Sequence, residues 1–409
     1  MMSEQRILAG GRGNVGEVFV AFLKLGLTSF GGPIAHLGYF RESFVVRRRW
    51  IDEAGYADLV ALCQFLPGPA SSQVGFALGL MRAGPLGALA AWAAFTLPSA
   101  FLMLLFAYGA SSFEGPIGSA AIHGFKLVAV AIVAQAVWGM GRTLTPDRSR
   151  AGLALAALAV VTLLNGAWGQ VAAIGVGAMG GLLLCRAVAL APGGRVRFAV
   201  PRKVGVTCLA VFMLLLVGLP LLAEALGSQE LTLFDAFYRS GALVFGGGHV
   251  VLPLLQAAVV EPGWTDDTTF LAGYGVAQAL PGPLFTFAAY LGALVAPIPR
   301  GMIGAGVALV GIFLPGLLIL VGALPFWETL RARPAAQAAL HGVNAAVVGI
   351  LGAALYNPVW VSAVVSPYDF AIVAASFILL TVWRAPPIVV IILVVLLAIP
   401  QSLQLTLAV

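Results

Sequence analysis

Long apolar runs recur along this chain, and they limit what it can fold into. Residues 85–109, 117–141, 203–223 and 386–405 each reach the length, roughly 20 residues, at which a helix crosses the hydrocarbon layer of a bilayer. The alternating ten-residue pattern of an outer-membrane barrel is absent from these runs. Only 9% of the residues are charged, whereas a soluble domain carries about 25%. We therefore expect an all-α, multi-pass protein of an inner (plasma) membrane.

The second constraint is an internal duplication. Four sequence blocks of the first half recur in the same order in the second half, at offsets of 214 to 218 residues. The paired blocks are 19–33 with 234–248, 48–69 with 262–283, 95–105 with 312–322, and 123–137 with 341–355. This order predicts a first repeat over 15–187 and a second over 231–405. Residues 188–230 form a Pro- and Gly-rich basic linker followed by one unmatched helix.

Each repeat contains six apolar segments. In the first they are 15–49, 52–82, 84–109, 117–141, 151–165 and 168–187, and in the second 232–256, 267–298, 300–325, 335–357, 366–383 and 386–405. The first two segments of each repeat are interrupted by Gly and Pro, and we treat them as re-entrant hairpins. The cations of the loops and of the segment ends then fall on one face, the cytoplasmic one, and only Arg300 falls on the other. The unmatched helix inverts the second repeat relative to the first, as in many secondary transporters.

The interruptions, FGGP or FGGG and LPGP, are candidate substrate sites. Backbone released from a helix at membrane depth is tolerated only where it is buried in protein or lines a cavity. Each interruption begins a new half-helix, whose free N–H groups and positive dipole end suit an anion. We expect four such ends to converge, although simple kinks are the alternative. The candidate binding residues here are Gly31, Gly32, Pro67, Gly68, Pro69, Ser71, Ser72, Gly246, Gly247, Pro281, Gly282, Pro283 and Thr286.

Polar side chains within the apolar segments give a second set of candidates. Lys24 and Arg239 are equivalent in the repeat, and Lys126 is matched by Asn344. A cation at the bilayer centre costs about 3 kcal/mol or more, so it faces a partner or a pathway. No acidic residue lies near Lys24 or Lys126 in its own segment. A bound anion would compensate them, and snorkelling of Lys24 to the surface is the alternative.

Two amides and four histidines complete the candidates. Gln64 and Gln278 are equivalent, and we assign them to substrate binding. The histidines are the only side chains that titrate near neutral pH, so they are the candidates for proton coupling. They are His36, His123, His249 and His341.

The motifs of common enzymes are missing from the sequence. There is no Walker-type loop, no HExxH, no CxxC pair and no GxSxG in a usable setting. Cys63, Cys185 and Cys208 have neither disulfide nor metal-ligand spacing. We therefore predict no enzyme activity, no metal, no cofactor and no nucleic-acid partner. Membrane lipid is the expected surrounding, and the Gly-rich faces 173–181 and 301–311 are compatible with a homodimer.

The interrupted segments also resemble a known family. FGGPIAHLGYFRESF and QFLPGPASSQ in the first half, with FGGGHVVLPLL and YGVAQALPGPLFTFAAYLG in the second, are similar to the two-domain form of the chromate ion transporter family. The resemblance covers about residues 15–405. It implies export of chromate from the cytoplasm driven by the membrane gradient, and hence chromate resistance. It also implies antiparallel halves with about thirteen membrane segments.

The expected mechanism is alternating access around a tetrahedral oxyanion. Backbone N–H groups of the four interruptions, the hydroxyls of Ser71, Ser72 and Thr286, and nearby cations would hold the ion. Chromate is isosteric with sulfate, so neither these motifs nor the helix ends separate the two. A carrier for sulfate or another oxyanion, and an anion channel of the same fold, remain the alternatives.

Overall fold

The computed structural model describes residues 13–109, 115–164, 166–185, 200–295 and 300–407, and most of the linker 188–203 lies outside these ranges. All regular structure in the described part is helical, which confirms the all-α class. The first half contains α1 (Val15–Thr28), α2 (Gly32–Phe40), α3 (Glu53–Phe65), α4 (Ala70–Gly109), α5 (Pro116–Leu144), α6 (Arg148–Leu163) and α7 (Ala167–Leu184). Helix α2 continues as a π-helical turn, Arg41–Arg47.

Helix α8 (Arg202–Leu226) stands between the halves and packs on α9 and α13. The second half contains α9 (Gln229–Ala242), α10 (Val251–Val259), α11 (Asp267–Ala279), α12 (Phe287–Leu294), α13 (Arg300–Ala323), α14 (Trp327–Arg331), α15 (Pro334–Ala354), α16 (Val361–Ala363), α17 (Pro367–Thr381) and α18 (Pro387–Leu407). Single 3-10 turns precede α10, α12 and α14.

Among the described residues, five helical stretches are long and apolar enough to cross a membrane: Ala70–Gly109, Gly118–Leu144, Arg202–Leu226, Arg300–Arg331 and Pro334–Ala363. Large apolar side chains cover the outside of the molecule, among them Leu155, Leu214 and Val382. Such a surface is unfavourable in water and suits a lipid environment. The chain is a multi-pass membrane protein.

The interrupted segments fold back as helical hairpins. Phe22 of α1 stacks on Phe44 with 4.8 Å between ring centroids, so the chain returns along α1 after the FGG break. In the second half, the Ser240 hydroxyl of α9 lies 3.5 Å from the Leu254 carbonyl oxygen of α10. The hairpin of α11 and α12 closes where the Tyr290 hydroxyl donates to the Thr269 carbonyl at 3.1 Å.

Helix α4 is two helices joined by a tight turn. Ala83 and Gly84 leave the helical region, and Gly84 has φ +68° and ψ −161°. The two arms pack closely, since a Cβ at Gly79 would lie 2.4 Å from the Gly87 carbonyl oxygen. The equivalent crossing of α12 and α13 is just as tight, because a Cβ at Gly292 would lie 2.3 Å from the Gly304 carbonyl oxygen. The reversal falls between the predicted segments 52–82 and 84–109.

The two halves exchange helices. Helix α5 packs against α17 and α18 of the second half, and α15 packs against α6 and α7 of the first. Gly124 of α5 lies against the backbone of Val395, and Gly342 of α15 lies against that of Gly177. These two contacts are equivalent in the repeat, because Gly342 corresponds to Gly124 and Val395 to Gly177 at the same offset of 218 residues. Neither half completes its helix packing alone.

Charged side chains lie at two separate ends of the molecule. At one end, Arg82 binds Glu17 at 3.0 Å and Arg331 binds the buried Asp58 at 2.7 Å. At the other, Arg300 lies close to Glu230. Helix α13 runs between these ends, and its 24 residues span about 36 Å at 1.5 Å per residue.

We predict that segment 41–50 faces the cytoplasm and that segment 261–267 faces the opposite side. Single cysteines would be introduced as Ser43→Cys and Thr265→Cys in a protein that lacks Cys63, Cys185 and Cys208. An impermeant thiol reagent added to intact cells should label only the second. Labelling of Ser43→Cys from outside would show that the orientation is wrong.

Candidate functional site

The four helix breaks meet, and each LPGP loop is hydrogen-bonded to the FGG loop of the other half. The Gly68 amide donates to the Val244 carbonyl oxygen at 2.7 Å, and the Gly282 amide donates to the Ser29 carbonyl oxygen at 2.9 Å. Ser29 and Val244 are equivalent positions, as are Gly68 and Gly282. The same hydrogen bond is therefore made twice, once in each direction between the halves.

The crossing has an approximate two-fold centre. A Cβ on Gly248 would lie 2.9 Å from Cγ of Pro33, its own equivalent in the first half. Two equivalent residues can touch each other only near a symmetry axis that relates the halves. The FGG loops thus meet on this axis, and the LPGP loops flank them.

Glycine is required in both LPGP loops for two reasons. Gly68 and Gly282 have φ of +116° and +102°, values that side chains disfavour. Each also packs against a helix of the other half: a Cβ would lie 2.8 Å from Cα of Gly316 at the first and 2.8 Å from Oγ of Ser99 at the second. Gly316 and Ser99 are themselves equivalent in the repeat.

This geometry changes one expectation from the sequence. The Gly68 and Gly282 amides were expected to reach the ion, but in this conformation each is engaged by a carbonyl of the other half. A membrane interior offers no water to an unpaired amide, so the loops satisfy each other. Donors for an anion have to come from the side chains around the crossing and from the first turns of the helices that begin there.

His36 lies at the first-half side of the crossing and is completely buried. Its Nε2 is 3.2 Å from the Ser29 carbonyl oxygen, the acceptor that also receives the Gly282 amide. Its Nδ1 is 3.4 Å from the Ser71 hydroxyl in the first turn of α4, and its ring meets Phe95 edge-on at 5.2 Å. His36 therefore joins α1, α2 and α4 at the crossed loops.

Next to the residues that contact His36, several buried polar atoms have no hydrogen-bond partner among the described residues. They are Oγ of Ser29, Oγ of Ser72, Oγ1 of Thr96 and Oε1 of Gln73. Ser29 contacts His36 through its carbonyl, and Ser72 and Thr96 follow in sequence Ser71 and Phe95, whose side chains contact His36. We call Ser29, His36, Ser71, Ser72 and Thr96 the hydroxyl cluster. An unpaired buried hydroxyl is costly, so the hydroxyls of Ser29, Ser72 and Thr96 are donors available to a ligand.

Gln73 positions the first LPGP loop. Its Nε2 donates to the carbonyl oxygens of Pro67 at 2.9 Å and Gly316 at 2.8 Å, so it ties the loop to α13. Gln73, Ser29 and Thr96 are not among the predicted site residues, although all three are polar residues within apolar segments. The pattern that identifies the charged and histidine candidates points to these three as well.

The second half offers no matching polar set. Val251, Phe287 and Phe313 stand where the first half has His36, Gln73 and Thr96. Thr286, the counterpart of Ser72, donates its hydroxyl to the Pro283 carbonyl at 2.8 Å. The crossing is thus symmetric in its backbone, but the positions that match His36, Gln73 and Thr96 are apolar in the second half.

The FGGG loop has polar neighbours of its own. Gly246 lies beside Asn344 of α15, whose Oδ1 has no partner among the described residues. His249 Nδ1 lies 3.0 Å from the Tyr274 hydroxyl and 3.5 Å from Nε2 of Gln278. His249 and Gln278, both predicted site residues, thus lie together beside this loop.

The predicted cations do not gather around the crossing. Arg239 forms a salt bridge with Asp235, one helical turn earlier on α9. Lys126 is buried beside Asp266 and Asp267 of the second half. These partners lie far from Lys126 in sequence, so its own segment does not predict them. Lys24 and Gln64 are exposed at the surface of the described chain.

His123 and His341 lie near the first turns of neighbouring helices, α17 and α6 respectively. His123 Nε2 is 2.8 Å from Oδ1 of Asp369, a buried carboxylate in the first turn of α17. His341, its equivalent on α15, faces Arg150 and Asp147 at the start of α6. His123 thus joins α5 to α17. No group of three or more His, Cys, Asp or Glu side chains suited to a metal occurs among the described residues.

We predict that Gly68→Ala and Gly282→Ala destabilise the folded protein, because each combines a left-handed backbone with a packed contact. The backbone term alone is about 1 to 2 kcal/mol. Gly139→Ala is the matched control, since Gly139 lies in helix α5 and a Cβ there would meet no atom of the described residues within 4 Å beyond the backbone of its own helix. Thermal unfolding of the purified proteins measures the effect. Equal melting temperatures for Gly68→Ala and Gly139→Ala would refute the packing described for Gly68 in the crossed loops.

Comparison with known proteins identifies relatives over most of the chain. A family model described as chromate transporter matches residues 16–183 and 231–399. The chromate transport protein of Pseudomonas aeruginosa is 31% identical over 380 residues, which is 90% of this chain and 87% of that protein. A probable chromate transport protein of Synechococcus elongatus is 29% identical over 82% of each chain. An uncharacterized transporter of Methanocaldococcus jannaschii is 27% identical, also over 82% of each. No solved structure matches the chain.

Proposed function

This chain belongs to the chromate transporter family, and we propose that it is a secondary transporter that exports chromate across the inner membrane and confers chromate resistance. The relatives named above for chromate transport support the substrate. The duplicated fold with crossed helix breaks supports a carrier in which thirteen segments form two antiparallel halves. A sulfate or other oxyanion carrier, and a channel, are the competing functions.

The observation that carries this proposal is the hydroxyl cluster beside the crossed loops. A tetrahedral oxyanion accepts hydrogen bonds on every oxygen, and the unpaired hydroxyls of Ser29, Ser72 and Thr96 are buried donors without partners. Helix α4 begins at Ala70, so its first-turn amides and its positive end face the same place. Together these groups replace part of the hydration shell that the anion loses on entering the membrane.

The membrane potential supplies the driving force for export. An inside-negative potential favours outward movement of an anion by about 2.3 kcal/mol per charge per 100 mV, which is doubled for a dianion. The hydroxyl cluster itself contains no fixed cation, so the bound complex keeps most of the charge of the ion. Transport is then electrogenic unless protons accompany it.

His36 is the residue best placed to couple protons to the anion. With Nε2–H donating to the Ser29 carbonyl, the neutral ring accepts the Ser71 hydroxyl proton at Nδ1. Protonation makes Nδ1 a donor, which turns the Ser71 hydroxyl hydrogen away from the ring and toward a ligand. The same event places a positive charge beside the anion. His123 and His341 lack such a link to the crossed loops, and His249 is joined to Tyr274 instead.

We predict that Ser72→Ala and Thr96→Val each weaken chromate binding by about tenfold to a hundredfold, because a hydrogen bond to a charged ligand contributes about 1.5 to 3 kcal/mol and about 1.4 kcal/mol is a factor of ten. The melting temperature without ligand should stay equal or rise, since each hydroxyl is unpaired in the fold. Ser376→Ala is the control, as its buried hydroxyl donates to the Ile372 carbonyl on α17. Ligand-dependent thermal stabilisation with chromate, sulfate, phosphate and chloride measures both quantities.

Unchanged chromate affinity in Ser72→Ala and Thr96→Val would refute the site. Stabilisation by sulfate equal to that by chromate would favour the broader oxyanion carrier. Anion flux into lipid vesicles distinguishes a carrier from a channel. The flux through a carrier saturates as the anion concentration rises, whereas a channel would conduct chloride or chromate far faster and without such saturation.

A second prediction concerns pH. Chromate binding should strengthen as the pH falls through the titration of histidine, by up to about tenfold per pH unit, the limit for one linked proton. His36→Gln, which keeps neutral hydrogen bonding, should lose this dependence, whereas His249→Gln should retain it. Comparing variant with wild type at each pH removes the protonation of chromate itself from the result. A His36→Gln protein with the wild-type pH profile would exclude this residue as the coupling site.

A further inference from the structure

The two halves differ in how their LPGP hairpins meet the exchanged helices. Helix α11 packs along α5 so closely that a Cβ on Gly275 would lie 2.4 Å from the Phe125 carbonyl oxygen. Lys126, the next residue of α5, is buried with its Nζ 3.4 Å from the Thr268 hydroxyl at the start of α11. Asp266 and Asp267 lie close to the same ammonium group.

The equivalent first-half contact is not made. Helix α3 packs on α4 and on the turn 41–47, and it has no comparable packing against α15. Ala61 and Ala54, the counterparts of Gly275 and Thr268, are exposed. Helix α3 is bound to α14 instead, where Asp58 accepts from Arg331 at 2.7 Å and from Trp327 at 3.2 Å.

The FGG hairpins show the same difference. Helix α10 packs on α15 and α7, and Leu254 is only 6% exposed. Its counterpart Tyr39 at the end of α2 is 43% exposed. The carboxylates at the starts of α11 and α3 follow this pattern. Burial raises the pKa of Asp267, whereas the hydrogen bond from Arg41 lowers the pKa of its exposed counterpart Glu53.

We propose that the two hairpin pairs are the two gates of the carrier, and that this structure holds the second-half gate closed and the first-half gate open. This inference rests on the proposed function. In the opposite state, α3 docks on α15 with Ala61 against Val343 and Ala54 beside Asn344, while α11 leaves α5. The Oδ1 of Asn344, buried without a partner among the described residues, is then available to the start of α3.

The sequence also indicates which state is favoured. In the closed gate, α11 comes closest to α5 at a glycine, Gly275. In the open gate, the equivalent residue of α3 is Ala61. An alanine methyl group prevents an equally close approach to α15. The first-half gate therefore closes less tightly, and the conformation described here is the more stable of the two.

Paired cysteines test this directly in purified protein in lipid vesicles. Lys126→Cys with Thr268→Cys reports the closed second-half gate, and Asn344→Cys with Ala54→Cys reports a closed first-half gate. A short bifunctional thiol reagent should link the first pair readily and the second pair rarely. Gly275→Ala forces α11 away from α5. It should raise the yield of the 54–344 cross-link relative to the 126–268 cross-link by about tenfold, which corresponds to a shift of about 1.4 kcal/mol in the free-energy difference between the two states.

Ala61→Gly is the matched variant, because it removes a methyl group and introduces no clash. It should raise the yield of the second link without loss of folded protein. The gate proposal is overturned if neither variant changes the ratio, or if both links form in the same molecule. Because cross-linking needs no substrate, this outcome is independent of whether chromate is carried. A gate that responds as expected in a protein that does not move chromate would instead refute the proposed substrate.

Discussion

The fold depends on a requirement of backbone chemistry in lipid: an amide released from a helix must find an acceptor inside the protein. The chain has four such breaks, and it satisfies two of them by pairing Gly68 with Val244 and Gly282 with Ser29 across the halves. Since each half supplies the donor for one bond and the acceptor for the other, neither loop is complete alone. The duplication is therefore necessary to the site, and the exchange of α5 and α15 between the halves extends the same dependence to the helix packing.

Much of this architecture could be predicted from the sequence, because it is a matter of period and repetition. The apolar runs predict helices, and the conserved order of blocks identifies Gly68 with Gly282. The breaks at FGG and LPGP predict where the helices stop. Partners distant in sequence could not be predicted in this way. Asp235 beside Arg239 was accessible from helical spacing, but Asp266 beside Lys126 and Asp369 beside His123 depend on the exchange of helices between halves.

The same limit explains the site. A sequence shows that a break exists, and it predicts free amides at the helix starts, as assumed for Gly68. Only the three-dimensional arrangement shows that a carbonyl of the other half takes that amide. The donors left over are hydroxyls such as Ser72 and Thr96, whose importance is that they have no partner. Lack of a partner is a property of the packed structure, and no motif carries it.

The two halves share a backbone plan but have separated in side chains and in conformation. His36 and Thr96 of the first half are matched by Val251 and Phe313 in the second, so the polar groups around the crossing differ between the halves. The hairpin contacts differ too, with Gly275 packed on α5 and Ala61 free of α15. A carrier built from two equivalent halves cannot open both gates at once, because two open gates would let the ion leak. Asymmetry between equivalent contacts within a single conformation is thus what alternating access requires of a duplicated chain.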